Sequence, residues 1–302
     1  GVGRVVAAGH GVTNCRPGDD VVFIGGGYAQ YTRVKGRLCS PVDLAAAPAA
    51  EHVALRISGL TAAVALGHTV PVSPSDVVVV TACCGATGSF AVQVAKRAGA
   101  TVVGTVGRAA KVDVARRLGV DRCVVVRGED AEDLGSVLRD EFPQGVDVAY
   151  EGVGGALLGA IVDNLKPTGN ILVVGSISAY PHNAQPEPHG VAELPDDLMA
   201  GVFRPGKTVE LEGGGSLIGN VWGDSFASGI LPSVREELNA LHAAGEIQAL
   251  VDTTASFAGI EAVPGAVEHM LSGASAGKVT VSFAPASSRP VDTEVLRGPS
   301  ES

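Results

Sequence analysis

Between residues 76 and 175 the apolar positions keep two alternating rhythms. Short runs rich in small and β-branched residues occur at 77–80, 102–105, 123–126, 146–150 and 171–174. Runs of that length read as strands covered on both faces, as in a parallel sheet. Between them the apolar residues fall at helical spacing, which predicts helices over 89–97, 109–118, 132–141 and 156–165. Gly99 and Gly119 stand where the first two should stop. Strand and helix in strict alternation with short loops predict an α/β fold: a Rossmann-type, doubly wound parallel sheet with right-handed crossovers. The strands' carboxyl ends, at Ala82, Thr105, Glu151 and Gly175, are then expected to line one crevice.

The flanks follow other patterns. Residues 1–40 alternate short apolar runs with turns, including Pro17-Gly18-Asp19, and read as all-β. Residues 43–70 change period: an Ala-rich stretch leads to a helix start at Ser58-Gly59-Leu60, closed by Pro71 and Pro74. Residues 180–208 break the rhythm with Pro181, Pro186, Pro188, Pro195 and Pro205. Their place after a strand's carboxyl end suits a substrate lid and equally an ordinary surface excursion. A strand at 209–211, a helix at 233–244, closing strands at 249–251 and 278–283 around a helix at 263–271, and a Ser/Pro-rich disordered tail at 284–302 complete the expectation.

The first turn carries the chemistry. Ala82-Cys83-Cys84-Gly85-Ala86-Thr87-Gly88 has the spacing A-x-x-G-x-x-G, with alanine where the stricter fingerprint has its first glycine. Small residues at Gly85 and Gly88 let backbone approach a pyrophosphate, and a helix start offers free N–H groups and a positive dipole end. Such turns also simply close βα units, but strand before, helix after and strand again point to a dinucleotide. A carboxylate about 20 residues on would bind the ribose of NAD. Here the chain has Gly107, Arg108 and Lys111, with no acid before Asp113. A guanidinium and an ammonium favour the 2′-phosphate of NADPH. The bland reading, solvated charges opening a helix, sets cations against its dipole.

Composition narrows the class. At 302 residues and 46% hydrophobic content the chain can bury a large core, and two domains are expected. Lys plus Arg number 22 against 32 Asp plus Glu, a net charge of −10, which argues against nucleic acid or an anionic membrane as partner. No uninterrupted apolar run of spanning length and no leader pattern is seen. Of five cysteines only Cys83 and Cys84 are adjacent, so a disulfide framework is not expected and a reducing, cytoplasmic compartment fits. No Cys/His/Glu set has metal-ligand spacing, so no metal is expected.

Read in order, PGDDVV, GGYAQY, SGLTAA, TACCGATGSFAVQVAK, GTVGRAAK, DVAYEGVGG and ILVVGSISAY resemble the zinc-independent medium-chain dehydrogenase/reductases. Over residues 1–283 they are most similar to the branch that reduces 15-keto prostaglandins and to its quinone oxidoreductase relatives. The resemblance implies a partial GroES-like β-rich catalytic domain at 1–50, cut at its start, an NADP-binding Rossmann domain at 51–250, and a return to the catalytic domain at 251–283.

It also implies site roles. Thr87 and Gly88 would sit on the pyrophosphate, Lys111 on the 2′-phosphate, and Val174 and Tyr180 at the nicotinamide ribose. The family's phosphate serine falls at Gly107, with Arg108 beside it as substitute. Its adenosine-side tyrosine falls at Val126, a further serine at Gly152, and a carboxy-terminal asparagine at Ser275. A loop at 216–218 would place Leu217 over the nicotinamide. The implied reaction is hydride transfer from NADPH to the β-carbon of an enone, with Tyr180 organising the carbonyl as catalytic residue. Tyr180 packing at a strand-to-loop junction is its structural alternative. Alternative functions are an NADPH quinone oxidoreductase and a non-catalytic NADPH-binding sensor or scaffold. The family suggests a homodimer.

Overall fold

A computed structural model describes residues 1–180, 206–219 and 221–283. The stretch read as lid or excursion falls outside them from 181 to 205, as does the tail at 284–302. Three short strands, β1 (Val2–Arg4), β2 (Asp20–Phe23) and β3 (Cys39–Pro41), form an antiparallel sheet in that order. The rest of 1–40 is irregular: Tyr28 and Tyr31, expected near strands, are exposed loop residues, and Tyr28 has φ +60°.

The helix expected to start at Ser58 begins nine residues earlier and runs unbroken from Ala49 to Thr69. Its turns widen to π type over Leu55–Gly59 and Ala65–Thr69. Gly59 does not end it but lets it close on its neighbours. A Cβ there would stand 2.8 Å from Leu238 Cδ2 and 3.2 Å from Phe90 Cε1. By length and composition these 21 residues are apolar enough to cross a membrane. However, Leu60, Ala62, Val64, Ala65 and Leu66 pack in one core with Phe90, Trp222 and Leu238, the pattern of an internal helix.

The central sheet has seven strands: β4 (Val77–Val80), β5 (Thr101–Val106), β6 (Arg122–Val125), β7 (Val146–Glu151), β8 (Leu165–Val173), β9 (Thr208–Glu210) and β10 (Ser216–Gly219). Their order is β6-β5-β4-β7-β8-β10-β9, all parallel except the edge pair β9 and β10. Successive residues serve opposite layers: Val78 and Val80 enter one core and Val79 the other, as do Leu172 against Ile171 and Val173. That double coverage is why the centres of β4, β5 and β8 read as apolar runs. The order reverses between β5 and β7 on either side of β4, the switch point where open α/β sheets bind ligands.

Further elements differ from expectation. The helix Gly155–Val162 stops short and β8 starts at Leu165, taking in the polar run Lys166-Pro167-Thr168. Lys166 Nζ lies 2.7 Å from Asp147 Oδ1 on β7, which fastens this otherwise unstrandlike segment to the sheet. The closing strands reduce to β11 (Phe257–Ala258) paired with β12 (Val281–Ser282), plus one bridge between Val251 and Lys278. Leu217 is no loop residue: it sits in β10 opposite Ile171, buried in the core with Val173.

Candidate cofactor and active site

Four strand ends meet at the switch point, and a polar lattice ties three of them together. Thr81, just past β4, donates its hydroxyl to Glu151 Oε1 at 3.1 Å and accepts the Gly152 amide at 2.9 Å. On the other side, the Ala82 amide donates to Thr105 Oγ1 at 3.1 Å and the Cys83 amide to the Thr105 carbonyl at 3.0 Å. Glu151 is fully buried and accepts from the Val153 and Gly154 amides as well. Burial pushes its carboxyl above the ordinary glutamate value, against the pull of these donors.

The lattice holds the glycine turn. Ala82 takes φ +47°, the left-handed conformation that explains the fingerprint's preference for glycine there. That basin costs an L-residue about 1–2 kcal/mol. Glycine's extra freedom in the unfolded chain takes back about 0.5–1 kcal/mol. Ala82→Gly is therefore expected to stabilise the protein by roughly 0.5–1 kcal/mol, read as a higher urea midpoint at unchanged slope. Further on, a Cβ on Gly85 would come 3.0 Å from the Ala82 carbonyl oxygen, and one on Gly88 only 2.4 Å from it. The helix Gly88–Arg97 opens at Thr87 with no side-chain cap, so its start is available to an outside acceptor.

Below Thr87 lies Tyr150, wholly buried, its hydroxyl without a hydrogen-bond partner. Thr87's side chain is close enough to influence it without reaching bonding geometry. A cradle that a Cβ would fill, an uncapped helix start and an orphaned phenol beneath it fit a phosphate-bearing ligand.

At the end of β5, Gly107 and Arg108 border an open cavity of about 390 Å³ that also meets Arg127 and Ser272. Arg108 Nη2 donates to the Ser272 carbonyl at 3.1 Å. Lys111 Nζ donates to the Ser275 carbonyl, and burial lowers its pKa. Ser275 thus meets Lys111 through its backbone. The loop carrying both carbonyls is braced by residues whose sequence showed no sign of it. Asp252 accepts from the Ala276 amide at 2.9 Å, from Thr254, and lies 2.9 Å from His269 Nε2. Burial works against the Asp252 carboxylate, yet these partners hold it below its ordinary value.

Of the other expected site residues, Gly152 spends its amide on Thr81 and its carbonyl on the Ile177 amide, so its backbone is already engaged. Val174 lies beside it, 3.6 Å from where a Gly152 Cβ would be. Tyr180 ends the short turn Ile177–Ala179 beyond β8 and is half exposed. Leu217, in the core, is not brought to the turn. Cysteines cluster more than their spacing suggests: Cys123 of β6 reaches Cys83, and Cys84 Sγ donates to the Lys111 carbonyl at 3.5 Å. Among the described residues no three His, Cys, Asp or Glu side chains form a metal-ligand group.

Comparison with known proteins agrees with this geometry. Residues 86–195 match the family model described as zinc-binding dehydrogenase. Prostaglandin reductase-3 of Bos taurus is 34% identical over 295 residues, covering 94% of this chain and 72% of that protein. The chain belongs to the medium-chain dehydrogenase/reductases. Within them it sits in the prostaglandin reductase and quinone oxidoreductase-like branch. A probable quinone oxidoreductase of Leishmania amazonensis is 33% identical over 281 residues, covering 92% of this chain and 77% of that protein. Among solved structures, Escherichia coli quinone oxidoreductase complexed with NADPH superposes with a TM-score of 0.75. It covers 93% of this medium-chain reductase and 80% of its own chain at 23% identity, a likeness of fold.

Proposed function

We propose that this chain is an NADPH-dependent reductase of α,β-unsaturated ketones, and that the turn from Ala82 to Gly88 with the β5 end seats the cofactor. The carrying observation is that β5 ends in Gly107-Arg108, bordering an open cavity, where an NAD-binding chain places its ribose carboxylate. Thr87 and Gly88 would take the pyrophosphate at the helix start, Arg108 and Lys111 the adenosine phosphate, and Val174 and Tyr180 the nicotinamide ribose. The chemistry supplied by bound NADPH is a hydride for the enone's β-carbon. Tyr180 would hold the substrate carbonyl: a phenol is a neutral donor at pH 7 and steadies a developing enolate without ionising.

A quinone offers the same electron-poor conjugated carbonyl, so the same donor and hydride geometry serve it, and relatives of both kinds support this pairing. Within the enones, lipid ketones of the 15-keto prostaglandin type are the substrate class we favour. Residues 1–50 and 251–283 are assigned to the catalytic domain and 51–250 to the cofactor domain. Five free thiols support a reducing, cytoplasmic setting.

The test is NADPH oxidation against a panel of enones, quinones and aldehydes, with the wild type and Tyr180→Phe. Removing one oxyanion donor is expected to lower turnover up to about 100-fold, while NADPH affinity stays within a factor of about two. Unchanged turnover in the variant would remove Tyr180 from the mechanism. NADPH binding with no oxidation by any acceptor would sink the reductase reading in favour of a nucleotide-binding role without turnover.

A further inference from the structure

The cavity beyond β5 holds two guanidinium groups, and only one of them is spoken for. Gly107, Arg108, Arg127, Glu129, Asp130 and Ser272 line it. Arg108 already donates to the Ser272 carbonyl. Lys111, the expected second cation, donates to the Ser275 carbonyl and is not among the cavity's lining residues. Arg127 follows β6 by two residues, is exposed, and makes no hydrogen bond or ion pair among the described residues. Its stem runs past Gly107: a Cβ there would lie 4.0 Å from Arg127 Cδ, which places the arginine beside the end of β5.

We propose that Arg127 is a specificity-determining residue of this enzyme, its guanidinium clamping the 2′-phosphate of NADPH opposite Arg108. The assignment rests on the NADPH reading above and adds the group that discriminates. Glu129 and Asp130 cancel the two arginine charges on the rim, so the cavity has little net field to attract an anion. Discrimination must then come from direct contact. An uncommitted planar fork matches phosphate oxygens two at a time, which a lysine ammonium does not.

The test titrates 2′,5′-ADP and 5′-AMP, which differ only in the 2′-phosphate, into the wild type and into Arg127→Ala and Arg127→Lys by calorimetry. Arg127→Ala is expected to weaken 2′,5′-ADP about tenfold and to leave 5′-AMP unchanged, with Arg127→Lys recovering part of the loss. Arg127→Ala weakening 2′,5′-ADP by less than about twofold, or both ligands equally, would overturn the inference while leaving the NADPH reading intact. A wild type that does not prefer 2′,5′-ADP would overturn the NADPH reading itself, and the inference with it. Arg127 is an exposed loop side chain, so the variants are expected to keep wild-type thermal stability.

Discussion

Gly88→Ala is expected to weaken NADPH binding by about 100-fold or more, a loss of about 3 kcal/mol, and to lower the unfolding free energy by about 1–3 kcal/mol. An added Cβ would lie 2.4 Å from the Ala82 carbonyl oxygen and 3.0 Å from Cys83 Cα, both backbone atoms. Neither can swing away as a side-chain tip would. The Ala82 carbonyl accepts the Gly85 amide at 2.7 Å, and the amides of Ala82 and Cys83 are both held by Thr105. The helix start must therefore move outward, carrying its open amides off the pyrophosphate position. Gly67→Ala makes the control: a Cβ there meets nothing within 4 Å, and alanine is the better helix former by about 1 kcal/mol. Fluorescence titration with NADPH and urea unfolding of both variants separate the outcomes. If Gly88→Ala binds NADPH like the wild type, the turn is not the pyrophosphate seat.

What the sequence revealed depended on how local the cause is. Whether a strand is covered on both faces is written in every residue of it, so 77–80 and 171–174 were legible as buried parallel strands. The phosphate turn was legible because its geometry excludes side chains at fixed spacing, and Ala82 shows the rule bending at a measurable φ. Contacts between distant residues leave no periodic trace. Thr81 and Glu151 are 70 positions apart, and nothing in either neighbourhood announces that a buried hydroxyl and carboxylate will meet. The same holds for Asp252 and His269 bracing the loop under Arg108 and Lys111. The loop reading of 216–218 missed a strand for a related reason: the residues of β10 acquire their identity from β8, not from their own pattern. Arg127 was invisible beside Val126 because a single arginine after a strand is ordinary until the fold leaves it unpaired at a cavity.

The buried carboxylate carries the other large effect. Glu151→Ala is expected to destabilise the protein by about 3–5 kcal/mol, because three donors lose their acceptor and each buried orphan costs about 1–3 kcal/mol. Those donors are the Thr81 hydroxyl and the amides of Val153 and Gly154, at 3.1, 2.8 and 2.9 Å from Oε1. Against a typical total of about 5–15 kcal/mol, that leaves a marginal fold. Glu151→Gln keeps an acceptor oxygen and is expected to lose about half as much, since its amide would face the Gly154 N–H, now 3.0 Å from Oε2. The two also differ in pH dependence. Burial raises the folded carboxyl above its usual 4.5 despite the donors, so between that value and the folded pKa the folded state holds the proton more tightly than the unfolded chain. The stability that this proton contributes is full below about pH 4.5 and is lost as pH rises through the folded pKa. Urea midpoints measured from pH 4 upward should therefore fall for the wild type relative to Glu151→Gln, which has no proton to lose. Parallel curves would mean that the donors offset burial and leave the folded carboxyl at its unfolded pKa, and a wild-type midpoint that rises with pH relative to Glu151→Gln would mean that they outweigh it.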